Sequence, residues 1–210
     1  MRGGVGVLLV GMTFARTVNA EAGSSGEMGP WRIGPGAGFG LNIAHYPGPG
    51  GELFVAVDKS LSDLVLFRAE AAGIYWRHPS HYETPYDLDR GVQLESQARL
   101  SRFGLQARAL GGLKFSDAFA VYAGVVAGHA RTSSSDTLCG DHSTNDFVYG
   151  VALQPALYLG DRGDVELSLN GDLARSPNVY CTEFTTARPK FHENTGNIGL
   201  WIALRARFRF

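Results

Sequence analysis

Two cysteines and two histidines lie in polar, turn-rich stretches where they could bind a metal or form a crosslink. They are Cys139 and His142 in one stretch, and Cys181 and His192 in another. Thiolates and imidazoles are common zinc ligands, but this spacing matches no standard zinc site. A disulfide between Cys139 and Cys181 is favoured, because an exported chain meets an oxidising compartment. Zinc binding is the alternative, and we expect no cofactor.

The segment Gly34-Pro-Gly-Ala-Gly-Phe-Gly40 superficially resembles a nucleotide-binding loop. Such a loop follows a strand and opens a helix, and the pattern around this segment indicates neither. Pro35 also interrupts the motif. We therefore interpret the alternate glycines as the inward face of a β-strand whose backbone lies close to its neighbours.

The chain as a whole has the composition of an exported all-β protein. Its 210 residues suit about one domain, its 28 glycines suit tight turns, and its net charge of −1 gives no field that attracts nucleic acid. Residues 1–20 are typical of a signal peptide, with Arg2 before an apolar stretch and small residues ending at Ala20. A disordered tail is the alternative. We expect residues 21–30 to be a flexible leader and residues 31–210 to form one domain.

Apolar and polar residues alternate in eight successive segments, which predicts eight β-strands. Connections after the odd-numbered segments are mostly long and polar, whereas those after the even-numbered segments are tight turns. This asymmetry is typical of outer-membrane barrels, which have long external loops and short periplasmic turns. The predicted loops cover residues 78–90, 131–146 and 175–195. Before Arg102 the alternation changes phase, which indicates a bulge or a strand that extends beyond the membrane.

The last segment shows the alternation most clearly. Its even positions from Ile198 to Phe210 are apolar, whereas its odd positions include three arginines, Arg205, Arg207 and Arg209. A soluble sandwich would bury the apolar face and wet the other with mixed polar residues. A barrel strand turns its apolar face to lipid and its charges to the lumen. We therefore predict an all-β fold, an eight-stranded antiparallel transmembrane up-and-down β-barrel.

Charged residues on the predicted inward faces form a candidate network in the lumen. A buried charge is costly unless it is paired, and an eight-stranded barrel is just wide enough for its own side chains to fill. We therefore expect a salt-bridged plug in which Glu166 pairs with Arg207 or a neighbouring arginine. A narrow ion path lined by arginines is the alternative. The predicted lumen charges are Arg68, Glu70, Arg102, Arg108, Lys114, Asp164, Glu166, Asp172, Arg205, Arg207 and Arg209.

The signal, the eight segments and the terminal Arg-Phe-Arg-Phe210 together resemble the small eight-stranded outer-membrane barrels of the opacity-like and OmpX-like families. The resemblance implies that the chain lies in the bacterial outer membrane, in contact with lipid and lipopolysaccharide. It also implies that Phe208 and Phe210 are an assembly signal, because the barrel assembly machinery recognises a terminal aromatic strand in these families. It specifies no activity, since one fold serves many functions.

The sequence His78-Pro-Ser80 resembles the His-x-Ser pattern of outer-membrane lipid A deacylases, in which both residues line a lipid-facing groove. Here Pro79 interrupts the alternation, and His78, His81 and Glu83 are predicted in a solvated loop. We therefore expect a non-enzymatic barrel whose external loops serve adhesion, surface interaction or envelope integrity, with an unnamed external ligand and no nucleic-acid partner. The alternatives are a narrow channel and a lipid A-modifying enzyme.

Overall fold

A closed ring of eight antiparallel strands forms the body of the protein, in which each strand pairs with its sequence neighbours and the last pairs with the first. The computed structural model describes residues 31–43, 47–160, 164–175, 178–185, 188–194 and 197–210. The barrel strands are β1 (Arg32–Ile43), β2 (Gly48–Ser60), β3 (Val65–Glu83), β6 (Ser96–Ser116), β7 (Phe119–Asp136), β8 (Gly140–Leu159), β9 (Val165–Arg175) and β12 (Ile198–Phe208). The predicted fold class is confirmed. The predicted signal and leader, residues 1–30, lie outside the described residues.

Four short strands form a second sheet beyond the loop end of the barrel, in the order β11-β10-β4-β5. They are β4 (Tyr86–Asp87), β5 (Val92–Gln93), β10 (Asn178–Phe184) and β11 (Pro189–Asn194). The first two belong to the β3–β6 connection and the last two to the β9–β12 connection. The two connections meet through parallel pairing of β10 with β4. We call this sheet, with its connecting turns, the external cap.

Four consecutive barrel strands are much longer than a membrane requires. Strands β3, β6, β7 and β8 have 19, 21, 18 and 20 residues, whereas about 9–11 tilted residues span a bilayer. The predicted loop at residues 131–146 is therefore wrong, because β7 and β8 stay paired from Arg131 with Asn145 to Asp136 with Gly140. Outside the membrane both faces of a hairpin can be polar, so polarity alone does not exclude a strand.

Side chains alternate between the lumen and the exterior along β6, with even-numbered residues inward. Ala98 and Leu100 face inward with Arg102 and Arg108, so the apparent phase change before Arg102 is not a bulge in this strand. Instead β6 extends beyond the membrane, and its inner face changes from charged to apolar. The register irregularity in this region lies on β3, between His78 and His81.

The outer wall of the barrel carries a continuous apolar belt. Large aliphatic side chains such as Leu53, Leu105 and Leu204 are 61–67% exposed, and such an extensive apolar surface is stable only against lipid. No helix among the described residues is long and apolar enough to cross a membrane. Exposed aromatic side chains lie at the two edges of the belt, Tyr75, Phe103, Phe147 and Tyr149 at the loop end and Phe115, Phe208 and Phe210 at the turn end.

Candidate functional site

Five carboxylates and five arginines from five strands, counting Arg209 just after β12, meet in the lower half of the lumen. The inward phase of each strand brings them together, because successive side chains point to opposite faces. We call this cluster the lumen network. Its members are Glu52, Asp58, Glu70, Glu166, Asp172, Arg68, Arg108, Arg205, Arg207 and Arg209.

The layer nearest the turn end is a ring of alternating charge. Arg68 donates from Nε to Asp58 Oδ1 at 2.6 Å and from Nη2 to Glu166 Oε2 at 2.6 Å. Arg207 donates from Nη2 to the same Glu166 oxygen at 2.8 Å and also contacts Asp58. Glu166 lies directly opposite Arg207 in the β9–β12 ladder, which is the pair that the strand pattern predicted. Each charge in this ring thus has at least two partners of opposite sign.

The next layer is centred on Arg108 and Arg205. Arg108 donates to Asp172 at 2.5 Å, Glu52 at 3.2 Å and Glu70 at 3.3 Å, whereas Arg205 contacts Glu52 and Glu70, both at 2.9 Å. Their side chains are 0–2% exposed. Charges so deeply buried require several partners each, and this arrangement supplies them.

The glycine row of β1 gives the network its space. A Cβ atom on Gly38 would lie 2.9 Å from Cγ of Arg205 and 3.1 Å from Cγ of Glu52. Any larger residue would displace both members of this ion pair. The interpretation of these glycines as an inward strand face is therefore correct, and their role is to admit charged side chains from β2 and β12.

Two predicted members of the network lie elsewhere. Lys114 is partly exposed and pairs with Asp117 in the β6–β7 turn at 2.6 Å, where its hydrogen bond and charge lower the pKa of the Asp117 carboxyl. Asp164 is exposed before β9, and its backbone carbonyl accepts from Arg209 N at 2.8 Å. Both predictions are wrong because these residues lie at strand ends, where the side chain reaches water instead of the lumen.

Two members of the network were missed from sequence. The sequence predicted neither Glu52 nor Asp58 as a lumen charge, because the second strand was predicted only from Leu53 to Val57, but β2 runs from Gly48 to Ser60 and both carboxylates are buried. The signal was present in the alternation, since both are even-numbered and share a face opposite Leu53.

Arg102 is buried above the network, beside a small chamber in the upper lumen. The chamber has a volume of about 40 Å³, and Trp76, Trp201 and Gln106 also line it. That space holds a few water molecules and no larger ligand. The structure therefore places Arg102 in the lumen, as predicted, but apart from the ring of paired charges.

Apolar side chains of the external cap cover the lumen above this chamber. We call these side chains, Val179 and Phe191, the lid. Val179 of β10 is fully buried against inward side chains of the barrel, including Trp76, Leu100 and Trp201. Phe191 of β11 packs against the same cluster. At the opposite end the hydroxyls of Tyr122 and Tyr158 hydrogen-bond at 2.5 Å. The lumen is thus filled or covered at three levels.

The lid is attached to the barrel by a disulfide and by hydrogen bonds. Cys139 in the β7–β8 turn is bonded to Cys181 of β10, which confirms the predicted disulfide. Glu83 Oε2 accepts from Cys181 N at 3.1 Å, and His81 Nε2 is 2.9 Å from Glu83 Oε1. The disulfide uses both sulfurs, so these cysteines do not support the zinc alternative. The prediction that His81 and Glu83 lie in a loop is wrong, because both belong to the extended β3.

Removing the disulfide should loosen the lid and leave the barrel folded. We expect the double variant Cys139→Ser/Cys181→Ser to be cut by trypsin faster than the oxidised protein after Lys190, because this residue lies in the connection that the disulfide holds. Peptide mapping after limited digestion measures the rate. Reduced wild-type protein is the matched control and should behave like the variant. Equal cleavage of all three forms would show that the disulfide does not hold the lid.

The chain terminus closes the seam of the barrel. Phe210 N donates to Ile33 O at 2.9 Å, and Ile33 N donates to Phe210 O at 3.2 Å. The side chains of Phe208 and Phe210 are each 61% exposed on the lipid face. These residues are accessible to another molecule before the barrel is embedded, and their role as an assembly signal stays a prediction.

Comparison with known proteins shows a likeness in structure but none in sequence. No family model and no curated protein matches the chain. A major outer membrane protein of Thermus thermophilus is similar in structure, with a TM-score of 0.52, 14% identity, and coverage of 87% of this chain and 100% of that one. Neisserial surface protein A, from Neisseria, has a TM-score of 0.50, 12% identity, and coverage of 88% and 99%.

The Yersinia pestis protein Ail, solved in complex with the heparin analogue sucrose octasulfate, has a TM-score of 0.45, 12% identity, and coverage of 87% and 100%. At such identities, the likeness to the Thermus thermophilus protein and to Neisserial surface protein A shows a shared fold, that of outer-membrane barrels. The predicted resemblance to small outer-membrane barrels is confirmed at the level of fold, and the predicted outer-membrane location agrees with these structures.

Proposed function

We propose that this eight-stranded outer-membrane barrel is a closed, non-enzymatic surface protein that presents its external cap outside the cell. The observation that carries this proposal is the sealed lumen, which the Tyr122–Tyr158 pair, the lumen network and Val179 fill or cover in turn. We infer that these layers of described side chains leave a solute no open path through the lumen. The structured part that can meet a partner is therefore the cap.

The surface of the cap supports a role in surface interaction. Leu88 and Val92 of the cap are 52% and 44% exposed, and Tyr82 at the adjoining end of β3 is 75% exposed, all beyond the apolar belt. Exposed apolar side chains grouped outside the membrane mark contact sites for other molecules. Adhesion and envelope integrity both fit this surface.

The histidines near the cap support the absence of enzymatic activity. His78 Nδ1 hydrogen-bonds to the carbonyl of Pro47, and His81 pairs with Glu83, which in turn holds Cys181. These contacts fix neighbouring strands to one another and give both histidines structural roles. Comparing the mass of lipid A with and without expression of the protein tests the enzymatic alternative, and we expect no change.

The proposal includes the molecules that surround the barrel. The apolar belt contacts membrane lipid, and its outer edge contacts lipopolysaccharide if the cap faces outward. The exposed terminal residues Phe208 and Phe210 are the part that the barrel assembly machinery would recognise.

A sealed barrel should carry no steady current. We expect purified, oxidised protein in planar bilayers to show no stepwise conductance at moderate voltage. The arginines of the lumen network are paired with carboxylates, so they do not attract anions into the lumen. Steady conductance steps in the unmodified protein would favour the narrow-channel alternative over this proposal.

The orientation of the cap can be tested separately with epitope tags. A tag inserted between Leu88 and Arg90, in the exposed β4–β5 turn, should bind antibody on whole cells. The matched control carries the tag in the β2–β3 turn at residues 61–64, which lies at the other end of the barrel and should bind only after permeabilisation. The reverse pattern would contradict the proposed display of the cap.

A further inference from the structure

A basic groove lies on the outer wall of the barrel, where β3, β6, β7 and β8 extend beyond the apolar belt. Its volume is about 540 Å³. Three arginines of three neighbouring strands line it, together with serine hydroxyls; these residues are Arg77, Arg99, Arg131, Ser101, Ser133 and Ser143. Neither the lumen network nor the lid uses these side chains.

The register of the strands brings the three arginines close together. Arg77 pairs with Ser101 on β6, Arg99 lies two residues before Ser101 towards the external end of β6, and Arg131 on β7 pairs with Phe103. With about 3.3 Å per residue and about 4.8 Å between strands, the three Cα atoms lie within roughly 15 Å. Long, exposed arginine side chains can converge over that distance on one multiply charged ligand.

The floor of the groove suits an oxyanion. Ser101, Ser133 and Ser143 lie in one row across three strands, and Arg131 Nη2 donates to Ser143 Oγ at 3.0 Å. Hydroxyl and guanidinium groups together donate hydrogen bonds to phosphate or sulfate oxygens.

The charges around the groove leave it positive. Among the described lining residues the carboxylate is Asp141, and His142 faces Glu193 at 3.5 Å and stacks on Phe191. Three arginines against one aspartate give the wall a local positive charge, whereas the chain as a whole has a net charge of −1.

The position of the groove selects the source of the anion. Tyr75 lines its lower edge and pairs with Phe103, and Phe147 and Tyr149 continue this aromatic edge on β8. Aromatic residues lie at the headgroup level of a membrane, so side chains just beyond them meet the headgroups of the outer leaflet. We propose that Arg77, Arg99 and Arg131 bind the phosphates of a lipopolysaccharide molecule in the outer leaflet. This inference rests on the outward orientation of the cap in the proposed function.

The test uses refolded full-length protein in zwitterionic detergent micelles and calorimetric titration with two probes, bisphosphorylated lipid A and its dephosphorylated form. We expect the protein to bind the phosphorylated form more tightly, with an affinity that falls as salt is added. The triple variant Arg77→Gln/Arg99→Gln/Arg131→Gln should bind that form at least about tenfold more weakly, which corresponds to about 1.4 kcal/mol.

The matched control is Arg90→Gln, which removes an exposed arginine of the cap outside the groove and should leave binding unchanged. Migration of unboiled and boiled samples on a detergent gel shows that each variant is folded. Equal affinity for the two lipids, or wild-type affinity in the triple variant, would overturn the proposal.

Equal or tighter binding of a soluble sulfated oligosaccharide would assign the groove to a glycan and not to the membrane, and would also overturn it. Titration in detergent does not depend on orientation in the cell. Its failure is therefore distinguishable from failure of the tag and conductance experiments.

Discussion

Replacing Glu166 with alanine should lower the free energy of unfolding by about 3–5 kcal/mol, the cost of breaking a buried ion pair by removing one partner. Glu166 is fully buried and contacts Arg68 at 2.6 Å and Arg207 at 2.8 Å. Without it, Asp58 would remain as the partner of Arg207, and Arg68 would keep Asp58 and a longer contact with Glu70 at 3.7 Å. Urea titration of the refolded barrel in lipid vesicles measures the loss as a shift of the unfolding midpoint.

A double-mutant cycle separates this effect from general damage. The pair Glu166→Ala/Arg207→Ala should recover part of the loss, since it removes one charge of each sign, and only part, because Arg207 also contacts Asp58. Glu95→Ala, at an exposed carboxylate between β5 and β6, is the control and should change stability by about 0.5 kcal/mol or less. Strict additivity of the two lumen substitutions would show that the residues do not interact.

The lumen network could largely be predicted from sequence because a strand has a period of two. Once one face of β12 is assigned to lipid, Arg205 and Arg207 must point inward, and because β9 is the preceding barrel strand, its inward residues become their neighbours. The same rule failed at strand ends, where Lys114 and Asp164 leave the wall of the barrel. The rule was also not applied to Glu52 in β2, because the glycines and the proline that precede this residue are typical of a turn.

The external cap could not be predicted, because its structure depends on contacts between distant segments. Strand β10 pairs with β4, about a hundred residues earlier, and Val179 of β10 and Phe191 of β11 pack against inward side chains of the barrel. No alternation marks such a residue in a polar stretch. The disulfide was predicted from cysteine number and location, but its effect, holding a lid over the lumen, follows from the position of Cys181 in β10.

The long hairpin of β7 and β8 shows the same limit. Serines and threonines occupy both faces from Thr132 to Ser135, so the hydrophobic pattern that marks the membrane segment is lost while the backbone pairing continues. The arginine groove depends on this hairpin, because Arg131 and Ser143 face outward only if the two strands remain in register.

The terminal aromatic residue should matter for assembly in cells far more than for stability. Two backbone hydrogen bonds join Phe210 to Ile33 across the seam, so deleting the residue removes structural contacts as well as the side chain. Phe210→Ala keeps both hydrogen bonds and removes only a ring that is 61% exposed. We therefore expect this variant to refold in detergent with a loss of no more than about 1.5–3 kcal/mol, the free energy of moving one Phe side chain from water into an apolar phase.

In cells we expect most of the folded barrel to be lost from the outer membrane of the Phe210→Ala strain, measured as the heat-modifiable band in membrane fractions. Phe115→Ala is the matched control, since its ring is 67% exposed at the same end of the barrel and lies outside the terminal strand. It should insert normally. Deletion of Phe210 should reduce both insertion and refolding, because the seam also loses its backbone contacts. Equal insertion of the two alanine variants would mean that Phe210 contributes an ordinary interfacial side chain and that the assembly machinery recognises another part of β12.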